Sequence, residues 1–223
     1  MTNSDDMGKG ERPERKLSFK TRNRDDTKER ILQEAIREFS AHGLVGARVE
    51  RIVKNSDISM RMLYHYYDNK EALYVAVLER VYGDVRAAEL QFDAKSCAPE
   101  KAIGQLIDFT FTHFVQHPEL INLVMAENFL GAEYLRRSEL IPSMTTKLQD
   151  AVRWILEEGA ATGVFRRNVD PAHLWLTVFS LCWTHLSNRH TLSWMMQTEL
   201  SDAAWLDERR SHVHEVVMRF LRP

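Results

Sequence analysis

The sequence lacks what a secreted, metal-stapled or membrane protein needs. It has only two cysteines, Cys97 and Cys182, which is neither a disulfide framework nor a zinc-ligand pattern. No stretch approaches the ~20 uninterrupted apolar residues of a membrane span. Met1–Lys20 is polar throughout, so no signal peptide is expected and the expected location is the cytoplasm. There is no glycine-rich phosphate loop and no Gly-x-Ser-x-Gly elbow. The six prolines and nine glycines are few, sit mostly at junctions and leave long segments unbroken. Strand-like alternation does not persist, and no internal repeat is present. What remains is 223 residues, 44% hydrophobic and 28% charged, enough for an all-α protein of one large or two small domains with a real core.

The formal net charge of −2 hides an asymmetry. Residues 1–70 sum to +3 and the remainder to −5. Lys9–Arg24 holds seven Lys or Arg against Glu11 and Glu14. Such an arm can neutralise phosphates, or it can be a merely solvated tail. Residues 1–24, polar and carrying Gly8, Gly10 and Pro13, are expected to be a disordered basic arm.

Helical periodicity begins after the arm. Ile31, Leu32, Ala35, Ile36 and Phe39 form one apolar stripe and predict a helix over about Asp25–His42, stopped by Gly43. A short helix follows at about Arg48–Lys54. Asn55-Ser56-Asp57 then turns the chain, and Ser59 is placed to cap a second short helix, Met60–Tyr67. A long helix restarts near Asn69 and runs to about Leu90. Beyond it, helices are predicted over about Pro99–Gln116, Pro118–Leu130, Pro142–Thr162, Pro171–Asn188 and Ala203–Leu221, with a shorter piece near Ser193–Gln197.

Two short helices joined by a tight turn, the second hydroxyl-capped, fit a helix-turn-helix. The second must present an exposed face to a major groove ~12 Å wide. Met60, Arg61, Met62, Tyr64, His65, Tyr66 and Tyr67 crowd that helix and cannot all be core. Leu63 and Tyr67 are expected inward, with Arg61, Tyr64 and His65 outward.

Thr27–Leu32, Phe39, Gly43, Val49-Glu50-Arg51-Ile52, Ile58-Ser59, Leu63–Tyr67 and Asn69–Leu73 together resemble the DNA-binding domain of the TetR/AcrR family of transcriptional regulators. The resemblance covers about residues 25–85, with the motif at about 48–67. It implies an N-terminal three-helix helix-turn-helix domain and, over 86–223, a helical ligand-sensing and dimerising domain. It also implies a homodimer on palindromic double-stranded operator DNA, a repressor released by a small-molecule effector. Ser59, Tyr64, His65, Arg48 and Lys70 would approach phosphate or a neighbouring base edge. Met60, Arg61 and Met62 would hold the base-reading positions, and Arg22 and Arg24 of the arm would enter the minor groove. The sequence departs from the family in two places. Met60-Arg61-Met62 stands where Lys-Gly-Thr is frequent, and Asp57 stands where glycine is frequent. Asp tolerates a left-handed backbone, so the turn is expected to survive while the operator changes.

The helix over Pro171–Asn188 is apolar nearly all round and needs cover on every side. By the resemblance it dimerises together with Ala203–Leu221. The effector pocket would draw on Phe109, His113, Met125, Phe129, Trp154, Trp175, Phe179 and Trp183, although aromatics at this spacing are also ordinary core. Its apolar character suggests a small hydrophobic or aromatic effector. No cofactor is expected, and neither metal nor membrane is an expected partner. Two rival readings stand. One is a regulator answering only to a partner protein or to oxidation of Cys97. The other is a helical metal-dependent enzyme, for which His113 and His117, four apart, would be the first ligands.

Overall fold

The computed structural model describes residues 14–89, 92–144 and 146–223, with side chains from Asp26 onward except at 90, 91 and 143–147. Among them there is no strand. The helices are α1 (Glu14–Gly46), α2 (Val49–Asn55), α3 (Met60–Tyr66), α4 (Lys70–Glu89), α5 (Pro99–Gln116), α6 (Pro118–Phe129), α7 (Thr146–Ala161), α8 (Pro171–Ser187), α9 (Arg189–Met196) and α10 (Ala203–Leu221). Short 3-10 turns at Ala94–Ser96, Leu135–Arg137 and Ile141–Met144 join them. No helix of the described residues is long and apolar enough to cross a membrane.

Three boundaries differ from the sequence expectation; one is α9, which begins at Arg189, four residues before the Ser193 expected. α1 begins at Glu14, not near Asp25, so the second half of the proposed disordered arm is helical; residues 1–13 lie outside the described residues. Past Pro13 the segment has no glycine or proline and is rich in Glu, Lys and Arg, all good helix formers. α7 begins at Thr146 because Ile141–Met144, around Pro142, winds as a 3-10 turn instead. Gly43 does break α1, with φ 62° and ψ 178°, a conformation that a side chain would strain.

α1 packs on α4 and α6, and α5 packs on α7, α8 and α10. Ile31, Ala35 and Phe39 are fully buried on the α1 stripe, and the Phe39 ring meets Tyr74 of α4 edge-on at 5.0 Å. Arg80 of α4 joins Glu29 of α1 and Asp84 of its own helix in ion pairs. In α5, Ala102, Ile103, Leu106, Ile107, Phe111 and Phe114 bury one face. α7 closes on Phe165: a Cβ added at Gly159 would lie 2.0 Å from that ring. The buried line of α8 is Leu174, Val178, Cys182 and His185. Leu176 on α8 and Phe220 on α10 stay exposed.

Candidate DNA-reading surface and candidate effector cavity

The N-terminal surface is built from behind. Arg48, the residue preceding α2, makes no side-chain cap. Glu38 of α1 serves instead, accepting the Arg48 backbone N–H at 2.7 Å and the Arg51 Nε–H at 2.9 Å on each oxygen. The hydrogen bond from Arg51 holds the Glu38 carboxyl below its usual pKa. The carboxylate thus fixes the angle of α2 on α1. Glu38 went unnamed in the sequence reading. Its signal was faint: a Glu on the inner side of an otherwise apolar stripe.

The turn is fixed by local chemistry. Ser56 donates its hydroxyl to the Ile52 carbonyl. Asp57 takes φ 53°, so the left-handed position expected at this departure from the family is present. Ser59 accepts the Met62 N–H at 3.2 Å, capping α3. Past Tyr67, Asn69 Oδ1 accepts the Ala72 N–H at 2.7 Å and starts α4. Leu63 is the buried residue of α3, at 0% exposure, and Tyr67 is buried beside it.

Arg61, Met62, Tyr64 and His65 all face solvent, as do Arg48 and Ser59. Lys70 is half-buried at the start of α4. Among the described residues Arg48, Arg61 and Lys70 enter no ion pair, whereas Arg51 and Arg80 are committed to carboxylates. Met60 differs from its neighbours: it is half-buried and packs against the core. The side chains of Arg22 and Arg24 lie outside the described residues.

A cavity of about 290 Å³ opens in the C-terminal helices. Phe109, His113, Trp175, Phe179 and Trp183 line it, as the sequence suggested. Phe179 and Trp183 stack at 5.1 Å and 19°, and Trp175 tilts onto Phe179 at 5.4 Å. Phe114 stands edge-on to both Phe179 and Trp183. Three named residues do not line it. Phe129 ends α6 before the Gly131 turn and is 88% exposed. Met125 and Trp154 pack into the core, and Val124 takes the lining position beside Met125.

The sequence reading missed the wall contributed by α4: Tyr82, Val85, Arg86 and Glu89. Arg86 and Glu89 form an ion pair in which both side chains are largely buried. The Arg86 Nε has no partner. Desolvation raises the Glu89 carboxyl above its usual pKa, against the opposing hydrogen bond from Arg86. Burial, then neighbouring His117, push the His113 imidazole down to about 4. His113 also borders a polar cleft that Gln33 and Arg37 of α1 share with Asp84, His117 and Glu119. There the His113 and His117 rings lie 4.4 Å apart, and His117 pairs with Glu119. Among the described residues no group of three His, Cys, Asp or Glu is placed to hold a metal ion. Cys182 is buried, which pushes its thiol up to about 12. Cys97 is half-buried, with Sγ 3.4 Å from Gln105 Oε1.

A capped seven-residue helix, braced from behind and turned outward next to a tight turn, defines a helix-turn-helix DNA-binding protein. Residues 31–77 match the family described as bacterial regulatory proteins, tetR family, and residues 99–217 match the tetracyclin repressor-like C-terminal domain. The chain belongs to the TetR family of transcriptional regulators. It is 31% identical over 208 residues to the HTH-type transcriptional repressor NicS of Pseudomonas putida, covering 93% of this chain and 98% of that one. It is 26% identical to the HTH-type transcriptional regulator RutR of Escherichia coli, covering 88% and 91% of the two chains. In fold it resembles a TetR transcriptional regulator from Chloroflexus aurantiacus, with TM-score 0.68 at 18% identity over 90% of this chain and 98% of that one.

Proposed function

We propose that this regulator represses transcription by occupying a palindromic operator as a homodimer, and that a small, mainly apolar effector releases it. One observation carries the release: α4 starts beside the reading helix, at Lys70, and ends in the cavity wall, at Arg86 and Glu89. A molecule that fills the cavity leans on the helix that positions the DNA-reading surface. A hundred-fold loss of operator affinity needs ~2.7 kcal/mol of difference between the two states. The names of relatives, "transcriptional repressor" for NicS among them, favour repression over activation.

On the DNA side, Arg61 reads guanine by its O6/N7 edge and Met62 meets thymine methyls. Ser59, Tyr64, His65, Arg48 and Lys70 hold phosphate, and Arg22 and Arg24 follow the adjacent minor groove. Met60 serves as packing. Residues 25–85 form the DNA-binding unit and 86–223 the sensing and dimerising unit. The exposed apolar residues of α8 and α10, Leu176 and Phe220, support pairing of these helices with a second copy. That pairing sets two reading helices ~34–36 Å apart. The protein acts in the cytoplasm and is not an enzyme.

Selection of bound sequences from a random DNA pool at near-physiological salt tests the core of this reading. A palindrome with turn-spaced half-sites is expected. A folded protein that enriches no sequence, with or without cell metabolites, overturns it.

A further inference from the structure

We infer that the aromatic cavity selects an uncharged, flat compound of one or two rings bearing a carbonyl. In this reading, which rests on the effector role proposed above, Arg86 donates to the carbonyl and Glu89 excludes carboxylates of the same shape.

Size and shape come first. About 290 Å³ is roughly twice an apolar cavity of ~150 Å³ that takes up benzene. Two fused rings with a small substituent match it. The stacked Phe179 and Trp183 present a planar face, and Phe114 meets them edge-on. Ring faces and edges of this kind favour offset-stacked or edge-on aromatic guests.

The polar content then sets the charge. Among the described residues lining the cavity, the titratable groups are Tyr82, Arg86, Glu89 and His113. Burial keeps the Tyr82 phenol and the His113 imidazole neutral at pH 7. Arg86 and Glu89 cancel each other. The Arg86 side chain lines the cavity and its Nε–H is buried without an acceptor; a small turn of the guanidinium would offer that N–H to a ligand carbonyl, the neutral group that supplies an acceptor. A carboxylate would supply one too, but at the cost of a net negative charge in a low-dielectric site beside Glu89. The surroundings already disfavour one such charge, since burial raises the Glu89 carboxyl even with Arg86 bonded to it. A primary amide adds an N–H that the Glu89 carboxylate can accept.

Three probes of one shape test this on the full chain at pH 7: naphthalene, 2-naphthamide and 2-naphthoate, titrated by the fluorescence of Trp175 and Trp183 and by calorimetry. All three, or at least the first two, are expected to bind, with 2-naphthamide at least tenfold tighter than 2-naphthoate and tighter than naphthalene. Glu89→Gln is expected to shift the amide-to-carboxylate ratio tenfold or more towards the carboxylate. If that variant does not fold, as circular dichroism would reveal, the wild-type ratio decides alone. Naphthalene binding with 2-naphthoate as tight as the amide, or with the amide no tighter than the hydrocarbon, overturns the inference and leaves the effector role standing. The inference also falls if a folded Glu89→Gln leaves the ratio unchanged. If none of the three binds, the cavity is not an aromatic site, and the effector role falls with the inference.

Discussion

On α3, Met62, Tyr64 and His65 face solvent; on α5 and α8, Phe114, Phe179 and Trp183 face one another. The same kinds of side chain point outward in one region and inward in the other. The difference follows from helix length and company. A seven-residue helix with one buried residue, Leu63, has few inward positions, so its large residues stay on the surface. An eighteen-residue helix such as α5, packed against α7, α8 and α10, has an interior face long enough to hold several rings. As proposed, function sits on the outside of the first region and on the inside of the second.

The comparison breaks most completely at Leu63. Leu63→Ala removes the residue that pins α3 and is expected to cost about 2–5 kcal/mol of stability. Denaturant unfolding measures that loss, and operator binding should fall with it while the aromatic cavity stays intact. Next in size is acid. His185 is buried between Phe111 and Trp205, with neither ring nitrogen bonded. Burial pushes its imidazole down to about 4. The unfolded chain therefore binds this proton more readily, and stability is lost as pH falls from about 6.5 to about 4. The loss reaches roughly 3 kcal/mol by pH 4. His185→Leu should lack that share, so its unfolding midpoint gains on the wild type as pH falls; parallel profiles would contradict the burial argument.

The outward face gives a smaller, more selective effect. Arg61→Ala is expected to cost about 1–3 kcal/mol on the preferred operator and to relax one position per half-site. Lys70→Ala should weaken binding to all sequences alike and flatten the salt dependence by about one phosphate. Competition titrations against single-base operator variants separate the two. The smallest effect is at Phe129. Being 88% exposed, its replacement by alanine should change stability and probe binding by less than about 0.5 kcal/mol, whereas Trp183→Ala should weaken aromatic probes.

Legibility in the sequence followed the same divide. Gly43, Asp57 and Ser59 were readable because each answers a local backbone demand: a stop, a left-handed turn, a cap. Leu63 and Tyr67 were readable as the inward pair because the remaining residues of α3 had nowhere to hide. Five of the cavity residues were readable as aromatics and a histidine at helical spacing, but the same spacing admitted Phe129, Met125 and Trp154. Which of these meets empty space depends on how α6 and α7 sit against α5, and no local pattern carries that. Arg86 and Glu89 were missed for a related reason. Opposite charges three apart on a helix read as a surface pair, and only packing turns this one inward. The helical start at Glu14 was hidden by the basic charge of residues whose propensity favours a helix.

The brace at Glu38 has an evolutionary consequence. Glu38, Arg51, Ser59, Leu63 and Asn69 hold the helix-turn-helix in place, and none of them is among the exposed side chains of α3 proposed to read bases. Positions 61 and 62 can therefore vary with little effect on whether the protein folds. A duplicated copy of the gene could acquire a new operator through a handful of substitutions, each intermediate remaining a stable protein. The scaffold separates addressing from architecture, so a lineage of such regulators can diversify its targets faster than its fold.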